Sequence, residues 1–316
     1  MKQYKMKIRG TFLDEISHDI PHQNWGRKEW DQDFAWMKKI GINTVILIRS
    51  GYRKWLSYPS QILMEREGAY RPPVDLVRMY LELSEKYEMD FYFGLYDSGR
   101  YWVNGDFQKE LDLNKFLIEE VWRNYGQMKA FKGWYISQEC SRKTGSIIEM
   151  YAGLGTHCKN VSGQLTTLIS PYIDGIKNIS QYNSETSRAV GVTLKRHEED
   201  WSEIFDGIKN AVDIVAFQDG HVSFDELDEF LAVNKSMADK FGIRSWTNSE
   251  TFDRDMPIKF LPIKWEKLLM KLNAANRAGM EQAITFEFSH FMSPQSAYLQ
   301  AGHLYNRYQE YLNETE

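Results

Sequence analysis

The fold of this chain is constrained most strongly by eight short apolar runs. Longer segments separate these runs along the chain. The runs are rich in β-branched and aromatic residues, which is typical of strands buried on both faces of a parallel sheet. We predict strands at 7–12, 43–48, 91–96, 131–137, 165–170, 212–217, 243–247 and 282–288. Apolar residues at helical spacing predict helices at 28–40, 74–87, 113–125, 145–159, 224–241, 265–278 and 295–311.

Alternating strands and helices with no linker or shift in composition predict an α/β protein of one (β/α)8 TIM barrel. We expect residues 1–316 to form a single domain, because parallel barrels of this length are common. Long loops are predicted after strands two, three and five, and the segment 174–197 is the least regular part of the chain. An open doubly wound sheet would instead favour a glycine-rich turn after strand one, and no such turn is present.

Composition excludes several classes of protein. The chain is 42% hydrophobic and 26% charged, and no apolar stretch approaches the roughly 18 residues that a membrane span needs. The net charge of -5 comes without a basic block, so we expect no nucleic-acid partner and no membrane insertion. Two cysteines without nearby metal-ligand spacing predict neither a disulfide framework nor a zinc site, and we expect no metal and no cofactor.

The N-terminal segment carries lysines but no apolar stretch behind them, so it is not a secretory signal as it stands. This favours a cytoplasmic protein, or a periplasmic or secreted one if a signal has been trimmed. The sequence leaves the oligomeric state open.

Carboxylates, amides and aromatic side chains dominate the predicted carboxyl ends of the strands, where active sites of this fold lie. Glu139 and Glu250 follow strands four and seven and are the candidate catalytic residues. Of two carboxylates on either side of a glycosidic bond, one can protonate the leaving oxygen while the other attacks the anomeric carbon or activates water. Candidate substrate-binding residues are Asp14, Trp25, Arg49, Tyr96, Asp97, Trp102, Gln138, Tyr172, Gln218, Asp219, Trp246, Glu287 and His290.

Aromatic residues make up 14% of the chain, and several of them fall in the predicted loops. Flat rings suit the C–H face of a pyranose, and polar side chains satisfy its hydroxyls. Trp25 and Trp102 are the favoured ring platforms because they lie on predicted loops, whereas Trp246 fits barrel packing equally well. The sequence lacks a P-loop, a Gly-X-Ser-X-Gly elbow and a His-Glu-X-X-His pair, which argues against three other reaction classes.

A glutamate that follows an amide residue after strand four, together with a glutamate after strand seven, resembles the pattern of the clan A retaining glycoside hydrolases, family five among them. That resemblance implies that Glu139 is the acid/base and Glu250 the nucleophile. The chain is also similar to an uncharacterised family of glycoside-hydrolase-like barrels through Gly10-Thr11-Phe12-Leu13-Asp14-Glu15, Gln23-Asn24-Trp25, Ser170-Pro171-Tyr172 and Gln218-Asp219-Gly220.

Two positions depart from the clan pattern. Gln138 stands where the clan has an asparagine, and we expect its amide still to reach a sugar hydroxyl. The tryptophan that usually ends strand eight is absent from Thr285-Phe286-Glu287, so we expect Glu287 to contact sugar hydroxyls instead.

These observations predict a glycoside hydrolase that acts on a small oligosaccharide or glycoside. The clan resemblance implies a two-glutamate retaining mechanism, although the sequence by itself does not distinguish retention from inversion. Two alternatives stay open from the sequence. One is a carbohydrate-binding barrel without catalytic activity, and the other is a barrel lyase or isomerase that uses a metal held by Asp and Glu. The sugar, the linkage and the anomer are not specified by the sequence.

Overall fold

A closed barrel of eight parallel strands forms the centre of the computed structural model, which describes residues 5–17, 20–176, 191–253 and 260–314. Each strand pairs with its neighbours in chain order, and the first strand also pairs with the last. The barrel strands are β1 (Ile8–Leu13), β2 (Thr44–Leu47), β3 (Asp90–Gly94), β4 (Phe131–Ile136), β5 (Thr166–Ile169), β6 (Ile214–Gln218), β7 (Arg244–Asn248) and β8 (Ala283–Thr285). The predicted (β/α)8 barrel is therefore confirmed.

The described residues also form α-helices, most of which surround the barrel. They are α1 (Arg27–Lys39), α2 (Gln61–Glu67), α3 (Leu76–Tyr87), α4 (Phe107–Tyr125), α5 (Ile147–Ser162), α6 (Leu194–Ile208), α7 (Leu227–Phe241), α8 (Trp265–Ala278), α9 (Phe288–Phe291) and α10 (Leu299–Asn313). None of these helices combines the length and the apolar composition that would let it cross a membrane.

Side chains at the helix starts explain several boundaries. Asp75 and Asp106 accept hydrogen bonds from the backbone N–H groups three residues later, at the beginnings of α3 and α4. Thr193 caps α6 in the same way. Each cap satisfies a backbone donor that the first helical turn leaves without an intrahelical partner. Because of the cap at Thr193, α6 begins inside the stretch 174–197 that the sequence predicted to be a loop, while residues 177–190 lie outside the described part of the chain.

The end of strand eight differs from its prediction. β8 ends at Thr285, and the short helix α9 begins at Phe288, so the predicted strand at 282–288 was three residues too long. The Glu287 side chain accepts hydrogen bonds from the N–H groups of Ser289 and His290, which caps α9 and starts a helical turn. The Glu287 carboxylate is therefore hydrogen-bonded to the backbone at the start of α9.

A small three-stranded sheet, which the sequence did not predict, lies over the barrel between β2 and α4. Residues Gly51–Tyr52 and Trp55–Leu56 form a hairpin, and Tyr96–Asp97 pairs in parallel with its first strand. The hairpin turn contains Arg53 with φ of 54°, a left-handed conformation that is uncommon for a residue with a side chain. The loop after strand two is therefore ordered, and it includes this hairpin and α2.

In the described part of the chain, the two largest apolar cores lie on either side of the barrel wall. One lies between the barrel and its helices, and the other lies inside the barrel, where Phe12, Tyr92, Tyr135 and Trp246 pack together. Trp246 is 3% exposed, and its ring is part of the packing inside the barrel. Cys140 and Cys158 are also buried, and burial raises the pKa of the Cys140 thiol to about 12. A thiol that stays protonated is a packing group rather than a nucleophile.

Candidate active site

A cavity of about 130 Å³ opens at the carboxyl ends of the barrel strands and contains both candidate glutamates. Its polar wall combines the two carboxylates with a guanidinium, two amides and a hydroxyl, and its apolar wall is formed by aromatic and aliphatic side chains. The lining residues are Ser17, Ile20, Ile48, Arg49, Glu139, Gln218, Asn248, Glu250, Phe252, Phe260 and Phe286. Among the predicted site residues, Arg49 and Gln218 join Glu139 and Glu250 here.

Glu139 follows β4 and is surrounded by groups that act on its protonation. The hydroxyl of Tyr135 donates a hydrogen bond of 2.6 Å to Glu139 Oε1, and Gln218 interacts with the same carboxyl. Burial raises the pKa of Glu139 above its ordinary value, whereas the charge of Arg49 and the hydrogen bonds from Tyr135 and Gln218 lower it. Burial has the largest effect, so the net pKa is raised, which favours a protonated acid.

Glu250 lies two residues beyond β7 and is 2% exposed. Its backbone N–H donates to Asp219 Oδ1 at 3.1 Å, and its carbonyl accepts a hydrogen bond from Lys271 Nζ at 3.1 Å. Lys271 also forms an ion pair with Asp219 at 2.7 Å, in which both side chains are buried. This ion pair therefore fixes the backbone that carries Glu250, and Asp219 is a positioning residue that does not line the cavity.

Arg49 is held at the cavity by the loop after β3. Its Nη1 lies 3.7 Å from Asp97 Oδ2, and the guanidinium packs over the ring of Tyr52. Asp97 Oδ1 in turn accepts a hydrogen bond from Trp102 Nε1 at 3.0 Å. The structure thus places Asp97 and Trp102 behind Arg49, outside the lining of the cavity, where they orient the guanidinium.

The amide of Gln138 points away from the cavity, contrary to the prediction that it reaches a sugar hydroxyl. Its Nε2 donates to the carbonyl of Tyr96 at 2.8 Å and to Glu110 Oε1 at 2.9 Å. Both residues lie beyond the end of β4, and there Gln138 contacts α4 while Glu139 lines the cavity. Tyr96 also lies outside the cavity lining, and its hydroxyl donates a hydrogen bond to the carbonyl of Arg53. The amides near Glu139 come from Gln218 and Asn248 instead.

The charged residues after β1 and β8 form a buried cluster beside the cavity. His290 Nδ1 lies 2.6 Å from Glu287 Oε1, and its Nε2 lies 2.7 Å from the carbonyl oxygen of Pro21. Burial lowers the pKa of His290, but the charge and hydrogen bond of Glu287, together with the charges of Glu15 and Asp14, raise that pKa to about 9. Glu287 and His290 are therefore paired with each other, and the expected contact of Glu287 with sugar hydroxyls does not fit this arrangement.

Asp14 supports the cavity indirectly. Its Oδ1 accepts hydrogen bonds of 2.9 Å from the N–H groups of Ile16 and Ser17, and the side chain is 1% exposed. Because Ser17 lines the cavity, this turn fixes the direction in which the serine enters it. The structure places Asp14 beneath the site and not in its lining.

The remaining predicted aromatic residues also lie outside the cavity lining. Trp25 packs edge-on against Trp30 of α1, with ring centroids 5.1 Å apart, so it packs on the outside of the barrel. Tyr172 contacts the ring of His221 at 5.2 Å, next to the bridge that its backbone forms with Gln218. Neither position supplies the predicted ring platform in this cavity.

Phenylalanines form the aromatic wall that the sequence did not identify. Phe252 packs against Phe260 with centroids 4.9 Å apart and against Phe286 at 5.9 Å. Phe286 directly follows β8, at the strand end where the clan carries tryptophan. An aromatic residue at this position could therefore have been predicted to line the site. Asn248 likewise ends β7, two residues before Glu250, and its amide was missed among the rim residues.

The chain belongs to the family defined as a domain of unknown function, DUF4434. The family model matches residues 8–298. No sequence in the curated set of proteins matches the chain.

One solved structure is closely similar to this chain. It is described as the structure of a "putative alpha-L-fucosidase" from Bacteroides thetaiotaomicron, with 61% identity and a TM-score of 0.93 over 99% of this chain and 95% of that one. More distant barrels share the fold. They include an intracellular xylanase from Thermoanaerobacterium saccharolyticum, with 11% identity, a TM-score of 0.51 and coverage of 89% and 85%, and a β-D-glucuronidase from Dictyoglomus thermophilum, with 12% identity, a TM-score of 0.56 and coverage of 97% and 51%.

The contribution of the Asp219–Lys271 ion pair to stability can be tested by substitution. Lys271→Met leaves Asp219 buried without its cation, and we expect it to lower the free energy of unfolding by about 3–5 kcal/mol near neutral pH. The loss should be smaller in acid, where Asp219 becomes protonated. Urea unfolding at pH 5 and pH 8 measures both effects.

Two further variants control this measurement. Lys267→Met removes another lysine of α8, which is partly exposed and pairs with Asp253. We expect this substitution to lower the free energy of unfolding by about 1 kcal/mol or less. Adding Asp219→Asn to Lys271→Met removes both charges and should recover most of the stability. Equal losses in Lys267→Met and Lys271→Met would contradict a special role for the buried pair.

Proposed function

We propose that this protein is a glycoside hydrolase that cleaves the bond to a terminal sugar by double displacement. The observation that supports this proposal is that Glu139 and Glu250, which follow β4 and β7, line the same small cavity. Two carboxylates at one cavity are the minimum equipment for this reaction. Arg49, Gln218, Asn248 and Ser17 supply donors and acceptors for sugar hydroxyls around them.

Glu139 acts as the acid/base in this mechanism. Its raised pKa keeps a proton on the carboxyl until substrate binds. In the first step the proton passes from Glu139 to the glycosidic oxygen, the bond between that oxygen and the anomeric carbon breaks, and a Glu250 oxygen bonds to the anomeric carbon. In the second step Glu139 removes a proton from water, the water oxygen bonds to the anomeric carbon, and the ester to Glu250 breaks.

We propose α-L-fucosides as the first substrates to test. The description of the Bacteroides thetaiotaomicron relative names α-L-fucosidase activity, and that relative is 61% identical over almost the whole chain. The cavity is compatible with this sugar, since L-fucose carries a methyl group in place of a hydroxymethyl group. Phe252, Phe260, Phe286 and Ile20 provide an apolar wall for such a methyl group.

Azide rescue distinguishes the two glutamates. We expect Glu139→Ala and Glu250→Ala each to lower turnover of 4-nitrophenyl α-L-fucoside by roughly 10²–10⁴-fold or more. Added azide should restore activity in both variants. Glu139→Ala should form the fucosyl azide of retained configuration, and Glu250→Ala the azide of inverted configuration, as read from the NMR coupling at the anomeric carbon.

Leu299→Ala is a suitable control for this experiment, because Leu299 is 84% exposed on α10 and contacts neither glutamate. Retained activity in both glutamate variants would contradict the assignment. Binding of L-fucosides without turnover by the wild-type protein would favour a carbohydrate-binding barrel.

The hydrogen bond from Tyr135 to Glu139 predicts a change in the pH profile. Activity requires protonated Glu139, so it is present below the pKa of this group and is lost as the pH rises through it. Because the Tyr135 hydrogen bond lowers that pKa, Tyr135→Phe should move the alkaline limb of kcat/KM to higher pH. The substitution is nearly isosteric inside the barrel core. A pH profile with an unchanged or acid-shifted alkaline limb would mean that Glu139 is not the acid.

A further inference from the structure

The hairpin after β2 presents a pair of aromatic side chains beside the catalytic cavity. Tyr52 and Trp55 are cross-strand partners, so their side chains lie on the same face of the small sheet. Trp55 is 63% exposed, and its ring centroid lies 5.1 Å from that of Tyr70, which is 53% exposed. Trp55 and Tyr70 therefore form a contiguous exposed aromatic pair, and contiguous exposed apolar surface often marks a binding site.

A separate cavity of about 480 Å³ lies against this face of the hairpin. Tyr52, Trp55 and Leu56 form its apolar side, and Glu15, His22 and Arg53 place a carboxyl, an imidazole and a guanidinium around it. The volume falls in the range of ordinary ligand sites, about 300–1,000 Å³. Rings on one side and hydrogen-bonding groups on the other are what a pyranose needs, since it has apolar C–H faces and an equatorial belt of hydroxyls.

The hairpin cavity adjoins the catalytic cavity. Ser17 lines both of them. Tyr52 also connects them, because its ring packs between the guanidinium of Arg49, at 5.4 Å, and that of Arg53, at 5.1 Å. Arg49 lines the catalytic cavity and Arg53 lines the hairpin cavity, so the two cavities lie side by side at Ser17 and Tyr52.

The position of Glu139 indicates which side of the catalytic cavity faces the hairpin. Arg49 is the cation whose charge acts most strongly on Glu139, and it lies between Glu139 and the hairpin. The phenylalanine wall, by contrast, comes from the segments after β7 and β8, on the side of Glu250. With Glu139 as the acid, a leaving group on the Arg49 side of the cavity lies toward the hairpin.

We propose that the hairpin cavity is a leaving-group subsite that binds a second sugar ring, stacked on Trp55 and Tyr52. This inference rests on the proposed function, because it takes Glu139 as the acid. It makes the substrate a saccharide of at least two rings, in which the terminal sugar occupies the catalytic cavity. The glutamate, histidine and arginine beside the rings contact the hydroxyls of the second sugar.

Comparing two substrates tests the subsite. α-L-Fucosyl fluoride has a leaving group too small to reach the hairpin, whereas an α-L-fucosyl-galactose disaccharide fills both cavities. In Trp55→Ala we expect the ratio of kcat/KM for the disaccharide to kcat/KM for the fluoride to fall about tenfold. Trp55→Phe keeps a ring and should restore most of the ratio. Leu299→Ala removes an exposed apolar side chain elsewhere and is the matched control.

A binding measurement separates this proposal from the proposed function. Calorimetry on Glu139→Gln, with and without Trp55→Ala, compares the affinity for L-fucose with that for the isomeric fucosyl-galactose disaccharides. The subsite predicts that Trp55→Ala weakens disaccharide binding about tenfold and leaves the affinity for L-fucose nearly constant. This result would support the subsite even if the wild-type protein cleaved no substrate, in which case only the proposed catalysis would fail. Equal effects on both ligands, or no effect on either, would overturn the subsite.

Discussion

The parallel pairing of β1 with β8 is the constraint on which the rest of the structure depends. Gly10 and Thr11 of β1 pair with Ile284 and Thr285 on one side and with β2 on the other, which closes the barrel and leaves it no free strand edge. In a closed parallel barrel every strand delivers its carboxyl end to one rim. Residues far apart in the chain, such as Glu139 and Glu250, are thereby brought to a single cavity.

The polar side chains at the carboxyl ends of the strands fall into two sets. Some line the cavity, and the others support them from behind. Buried charges are costly unless they are paired, and the supporting groups are paired with one another: Asp219 with Lys271 and Glu287 with His290. Asp97 and Trp102 hold Arg49 in a similar way. This supporting layer fixes the backbone and the guanidinium around the two glutamates, which is the kind of preorganisation that catalysis by positioned charges requires.

Sequence patterns predicted the barrel and the positions of its two rim glutamates because buried parallel strands read as continuous apolar runs. They did not predict which way a side chain faces once its strand has ended. Gln138 and Glu139 are neighbours in the chain, yet one bonds to α4 and the other lines the cavity. Trp246 shows the same limit, since its burial in the inner core depends on register within the barrel.

The aromatic residues were harder to assign for a different reason. Trp25 lies in a predicted loop, but contact with Trp30 packs it on α1, and no local pattern reveals that contact. The phenylalanine wall depends on ring contacts of Phe252 with Phe260 and Phe286, and no local pattern reveals these contacts. The hairpin that carries Tyr52 and Trp55 is too short to be recognised by alternation of polar and apolar residues.

The most direct test of the two-glutamate account is to trap the covalent intermediate. Incubation with 2-deoxy-2-fluoro-α-L-fucosyl fluoride slows both steps, and its good leaving group lets the ester form faster than it breaks down. Mass spectrometry of the intact protein and of its peptides would then locate the added sugar. The account predicts one fucosyl unit attached to Glu250. A label on Glu139 or on any other carboxylate, or turnover of α-L-fucosides with inversion and no label, would contradict it.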